Sequence, residues 1–212
     1  MRSRPLARYL LGSLLLLALT SSVEAQNNVL DLRFLELNDD GDRTYHNFLY
    51  SRSFGGSRFS LESYWLFLPQ EGDYDEFGLG VGYKAFELGD VSLSLIGYLS
   101  SAPDDHYFEP ALLFLDGEGK FTWSLFLLHY LPLGDEGIDQ WLIDPVEAQY
   151  NFLGPLSVGV SGYFYRPQGG SWLAKVGPKV SIADRLGASE LAARRVTNGG
   201  GIEIQLRRVF VF

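Results

Sequence analysis

Apolar and polar side chains alternate along most of this chain. In FGLGVGYKA, Phe77, Leu79, Val81, Tyr83 and Ala85 fall on one side of an extended strand, while Gly78, Gly80, Gly82 and Lys84 fall on the other. LSVGVSGYFY repeats the arrangement, with Leu156, Val158, Val160 and Phe164 opposed to Ser157, Gly159, Ser161 and Tyr163. Read this way, the pattern predicts strands over 29–37, 44–54, 58–68, 76–86, 91–100, 107–115, 120–130, 140–152, 156–165, 172–183, 190–196 and 201–212. That is twelve strands, with ten as the alternative count. Tight Gly- and Asp-bearing turns (FGGS, ELGD, DGEG, FLGP) follow even strands, where short hairpins need positive backbone angles. Longer polar segments (NDDGD, PQEGDYDE, SAPDDH, PLGDEGID, RPQGG) follow odd strands. The expected fold is all-β: a closed up-and-down antiparallel transmembrane β-barrel, with turns on one side of the membrane and loops on the other.

Both ends of the chain fit that expectation. Arg2, Arg4 and Arg8 precede an apolar stretch from Tyr9 to Leu19 and a small-residue exit at Ala25, the layout of a cleavable secretory signal over 1–25. The apolar stretch is short for a membrane helix, which needs about 17 to 25 residues. The barrel domain is then expected over 26–212. At the other end, GIEIQLRRVFVF places Ile202, Ile204, Leu206, Phe210 and Phe212 on one face, interrupted by Arg208, and Glu203, Gln205 and Arg207 on the other. An open sheet edge in hydrocarbon leaves backbone groups unsatisfied, so the last strand is expected to pair with the first. Phe210 and Phe212 then sit at the membrane interface, and Arg208 reaches toward headgroups.

In these features the chain resembles the bacterial outer-membrane β-barrel class, whose last strand ends in Phe after apolar residues at alternate positions. The resemblance implies a Gram-negative envelope protein of the outer membrane, a monomer surrounded by lipid and lipopolysaccharide, inserted by the barrel-assembly machinery that reads the final strand. A soluble β-sandwich or lipocalin-like barrel is the alternative, since it also shows short alternating strands.

Charge narrows the function. The whole chain carries −9, and removing the three arginines and one glutamate of the leader leaves −11, which excludes a nucleic-acid binder. There is no cysteine, hence no disulfide framework and no thiolate metal site. No cofactor and no metal site is expected. NDDGD is not an EF-hand, because Gly41 is misplaced and a distal Glu is missing. Asp39, Asp40, Asp42, Glu71, Asp73, Asp75, Glu76, Asp104, Asp105, Asp135, Glu136 and Asp139 gather in the first four loops, a rim that attracts cations and shares divalent ions with lipopolysaccharide phosphates.

A two-residue turn at Gly55 and Gly56 sets Ser53 opposite Arg58, Ser51 opposite Ser60, Leu49 opposite Glu62 and Asn47 opposite Tyr64, on the lumen side. Extended strand by strand, this assigns Asp31, Arg33, Arg58, Glu62, Lys84, Glu109, Glu147, Lys175, Lys179, Glu203 and Arg207 to the lumen, with Glu190 and one of Arg194 or Arg195 beside them. Six bases then meet five acids. Opposed charges either line a narrow, weakly selective path for small solutes or ions, or pair across a closed structural interior. Small twelve-strand channels for acidic sugars are similar in length and strand count, but the Arg and Lys excess expected for that cargo is missing. A lipid-modifying hydrolase is the third reading. The histidines are His46, His106 and His129, and His46 with Ser63 is the best pair for such chemistry.

If the alternating apolar face meets lipid, the exported protein fractionates with outer membranes and refolds to a β-rich circular dichroism spectrum only in detergent or bilayers. Monodisperse, folded protein in plain buffer overturns that reading.

Overall fold

The computed structural model describes residues 28–38, 43–68, 74–103, 105–117, 119–135, 137–197 and 201–212. The leader expected over 1–25 and the loop acids Asp39, Asp40, Asp42, Glu71, Asp73, Asp104 and Glu136 lie outside the described residues. Twelve strands run in chain order: β1 (Asn28–Asn38), β2 (Arg43–Ser53), β3 (Phe59–Leu68), β4 (Tyr74–Leu88), β5 (Val91–Ser101), β6 (His106–Asp116), β7 (Phe121–Pro132), β8 (Gln140–Leu153), β9 (Leu156–Pro167), β10 (Leu173–Asp184), β11 (Gly187–Val196) and β12 (Ile202–Val211). Each pairs antiparallel with its sequence neighbours, and β1 pairs with β12, so the sheet closes on itself as an up-and-down barrel.

The seam is tied at its last residue. Asn28 and Phe212 exchange backbone N–H···O bonds of 3.0 Å each, and the Asn28 side-chain amide donates a further bond to the Phe212 carbonyl at 3.0 Å. Phe212 is exposed on the outer surface. Arg208, also on the outer face, lies over the Phe210 ring and donates to Asp184 Oδ1 and Ser189 Oγ, both at 2.9 Å, so its charge is answered locally.

Alternation sorts the side chains as the pleat requires. Leu79, Val81, Leu99, Val160, Val176 and Leu206 stand exposed on the outside, while Asp31, Arg33, Glu109, Glu147, Lys179 and Glu203 are buried within. Charges can find counter-ions and hydrogen bonds inside the barrel and none in hydrocarbon, so this inside-out distribution marks a barrel made for lipid.

One register differs from the sequence expectation. Ser53 pairs with Ser60, Ser51 with Glu62 and Leu49 with Tyr64. The β2–β3 connection is therefore longer than two residues. Ser57 N–H donates to the Phe54 carbonyl at 2.8 Å around Gly56, whose φ of 71° only glycine adopts freely, and Phe54 N–H donates to the Phe59 carbonyl at 3.2 Å. The register slips by two residues, so every side chain keeps its face. Arg58 is placed in the exposed turn rather than in the wall. Glu76 is the second correction: it belongs to β4 and points inward, almost fully buried, rather than joining the acidic loops.

Pro178 sits mid-strand in β10, where it has no N–H for the ladder, and the neighbouring Gly177 accommodates the resulting close approach. A Cβ on Gly177 would lie 1.7 Å from the Ala193 carbonyl oxygen of β11. Gly177→Val is expected to cost about 1–3 kcal/mol of barrel stability and to lower the refolded fraction, read as heat-modifiable gel mobility. The outward control Val176→Leu leaves that fraction unchanged.

Candidate functional site

The barrel interior has two walls of different chemistry. On β1 and β8 to β12, five bases (Arg33, Lys175, Lys179, Arg194, Arg207) meet five acids (Asp31, Asp144, Glu147, Glu190, Glu203). Asp31 and Arg33 share the inner face of β1 because they are two residues apart, and Arg33 grips Asp31 Oδ2 through Nε at 3.1 Å and Nη2 at 2.9 Å. The third arm of that guanidinium, Nη1, donates to Asp144 Oδ2 at 3.0 Å. β8 lies five places round the ring from β1, so this contact crosses the bore rather than following the wall. Arg207 joins Asp31 at 2.8 Å, Glu147 at 3.1 Å and Glu190 at 3.0 Å. Lys179 bridges Glu147 at 2.7 Å and Glu190 at 3.1 Å. Nearer the loop end, Lys175 meets Glu203 at 2.6 Å, and Arg194 lies between Glu203 and Asp144.

On β3 to β7 the interior is tyrosine and carboxyl. Tyr64, Tyr98, Tyr107 and Tyr130 pack with Ile96, Ala111 and Leu128 into one buried cluster, with the Tyr64–Tyr98 and Tyr107–Tyr130 ring pairs edge to face. Glu76 and Glu109 lie against Tyr64 at the loop end, and Glu62 accepts from Ser51 and Ser60 nearer the turns.

The lumen candidates thus separate. Asp31, Arg33, Glu147, Lys175, Lys179, Glu203 and Arg207 belong to the ion-pair wall, and Glu62 and Glu109 to the tyrosine wall. Lys84 stands half-exposed at the turn end, paired with Glu87 at 3.1 Å, and Arg58 lies beyond the strands. Of the two adjacent arginines, Arg194 is the inner one, fully buried, and Arg195 faces out.

Asp144 escapes simple alternation, because it is three residues from Glu147 and a regular strand puts the two on opposite faces. The β7–β8 register shifts between Leu125 and Leu127, and the β8–β9 register between Ile143 and Val146. The extra β8 residue lets both carboxylates turn inward. Pro145, inside a run that otherwise reads as a strand, was the available signal, since proline within a sheet marks an edge or a bulge.

The structure does not bring His46 and Ser63 together. Ser63 pairs with Tyr50 and His46 with Phe67, four residues or about 14 Å along the strand. The His46 ring packs edge-on to Phe34 and stacks toward Phe67. His129 stacks on Trp141 at 3.8 Å and contacts Asp139 at 3.1 Å on the outer rim.

No family model matches the chain, and no curated protein matches it. Solved structures do. The KdgM porin superposes with a TM-score of 0.63 at 14% identity, covering 87% of this chain and 99% of its own. A second structure of that porin, in complex with disordered oligogalacturonate, gives the same values. An outer membrane channel from Pseudomonas putida F1 gives a TM-score of 0.56 at 11% identity, covering 90% of this chain and 97% of its own. At such identity the likeness is one of fold: a closed antiparallel barrel of the kind those structures show.

Breaking a buried ion pair on one side costs about 3–5 kcal/mol, because the surviving charge keeps its desolvation. Arg194→Met is expected to destabilise the folded barrel in urea by about that amount, and Arg194→Met with Glu203→Leu to lose less than the sum of the two single losses, a coupling read from the double-mutant cycle.

Proposed function

We propose that this protein is a small outer-membrane channel of the porin type, with a narrow bore that passes ions and small solutes. The observation that carries this reading is the reversed distribution of polarity: charged side chains inside a closed barrel, apolar ones outside. A lipid-facing belt implies outer-membrane lipids and lipopolysaccharide as neighbours, and the barrel-assembly machinery during insertion. The likeness in fold to two channel proteins supports the same reading.

The interior also speaks about cargo. Oligogalacturonate, present in one of the similar structures, is a polyanion. Here every base on the ion-pair wall already has a carboxylate partner, and the opposite wall adds Glu62, Glu76 and Glu109 with no base beside them among the described residues. Such a bore disfavours polyanions and favours small cations and neutral solutes.

A second reading has its own observation. The Arg33–Asp144 bridge crosses the bore, and Arg194, Glu203 and Glu109 are fully buried, as in a closed structural barrel. Single-channel recording decides. Wild type is expected to show small discrete conductance steps with a cation preference that fades as salt rises, since the Debye length falls from about 10 Å at 0.1 M to about 3 Å at 1 M. Asp144→Ala removes the bridge and is expected to raise conductance severalfold. Silence in both wild type and Asp144→Ala, with the barrel folded, makes the closed structural reading the better one.

A further inference from the structure

The hydrogen bonds around Glu76 and Glu109 do not balance while both groups are ionised. The Tyr64 hydroxyl touches Glu76 Oε1 and lies 2.6 Å from Glu109 Oε1, yet it has a single proton to give. Tyr74 donates to Glu76 Oε2 at 2.9 Å, and Ser100 donates to Glu109 Oε1. That leaves Glu109 Oε2 buried without a hydrogen-bond partner, on a side chain with 0% exposure. The two carboxyl groups thus share one bridging hydroxyl and meet each other, and with both ionised one of their oxygens has no donor. A buried acceptor in that condition lacks a proton or a cation.

Among the described residues no base lies beside the pair. The interior bases are engaged on the opposite wall, and Lys84 pairs with Glu87 at the far end of β4. Among the described residues no three His, Cys, Asp or Glu side chains converge as a metal cluster, so the donors beyond the two carboxylates are hydroxyls. Counting Tyr64, Tyr74 and Ser100 with both carboxyl groups gives seven oxygens and no nitrogen or sulfur. An all-oxygen set of that size suits a hard divalent cation of the calcium type. Charge agrees, since two carboxylates match one divalent ion. The position agrees as well: Glu76 and Glu109 lie near the loop-side ends of β4 and β6, below Asp105, Asp135 and Asp139, where the acidic rim concentrates cations.

We propose that Glu76 and Glu109, with the hydroxyls of Tyr64, Tyr74 and Ser100, form a calcium-type cation site inside the loop-side mouth of the barrel. The ion enters as the proton that bridges the empty pair leaves, and two negative charges then face two positive ones. The site deepens the channel reading by naming where the cation preference resides, and it rests on that reading only for the ion's route of entry.

The test is made on folded barrel in detergent, titrated with Tb³⁺, which shares calcium's oxygen ligands and emits when excited through adjacent tyrosine. Wild type is expected to give saturable emission that Ca²⁺ displaces at about 10⁻⁴–10⁻³ M, the range of weak calcium modules. Glu109→Gln and Glu76→Gln, confirmed folded by gel mobility, are expected to lose at least two-thirds of it, while Glu62→Gln at the turn end keeps it. Tyr74→Phe removes one oxygen and no charge, and should weaken calcium displacement severalfold, which keeps the test decisive if the glutamine variants fail to fold. Emission equal in wild type and variants places the ions on the outer rim and overturns the proposal, as does wild-type emission that Ca²⁺ leaves untouched. Because binding is read without current, a barrel that binds Tb³⁺ but never conducts keeps the site and loses the channel.

Discussion

Every backbone N–H and C=O in a lipid-facing sheet must find its partner in another strand, and the pairing of β1 with β12 is where that requirement is met or lost. The other strand pairs are hairpins between chain neighbours, formed across short connections. The seam alone joins residues from opposite ends of the chain, and Asn28 and Phe212 fasten it to its last amide. The inward and outward faces, and the enclosed space in which charges are shielded from water and lipid alike, follow from that closure.

Once the space is enclosed, its charges settle into two unlike halves. Among the described residues, the wall from β8 round to β1 holds equal numbers of inward bases and acids, and each of those bases meets a carboxylate. Buried charges are tolerable when paired, and the multiple contacts of Arg33 and Arg207 meet that condition through guanidinium groups that serve several carboxylates at once. The wall from β3 to β7 solves its burial with tyrosines, whose rings fill space while their hydroxyls serve the glutamates.

Much of this is legible in the sequence. Runs such as FGLGVGYKA carry the period of two in full view, and twelve such runs separated by polar turns leave little freedom in the fold. The two-residue slip between β2 and β3 was not legible, because FGGS is compatible with more than one turn and a slip of two leaves both faces unchanged. Glu76 reads as a loop acid because it adjoins the acidic stretch DYD, although its spacing from Gly78, Gly80 and Gly82 sets it on their inner face. Asp144 was hidden by the bulge that redirects it, and partners such as Arg33 lie more than a hundred residues away, beyond the reach of any local pattern.

Asp144 has a consequence for how the barrel comes apart. Through it, a strand from the middle of the chain holds Arg33 on one side of the seam, and through Glu147 the same strand holds Arg207 on the other. The zipper between the first and last strands therefore runs alongside a crossbar anchored two-thirds of the way along the chain. Peeling β1 from β12 strips buried carboxylates of their counter-ions as well as breaking ladder bonds, so the seam cannot fray a rung at a time while the rest stays whole. Mechanically the molecule is a hoop with an internal strut, and it fails by losing hoop and strut together.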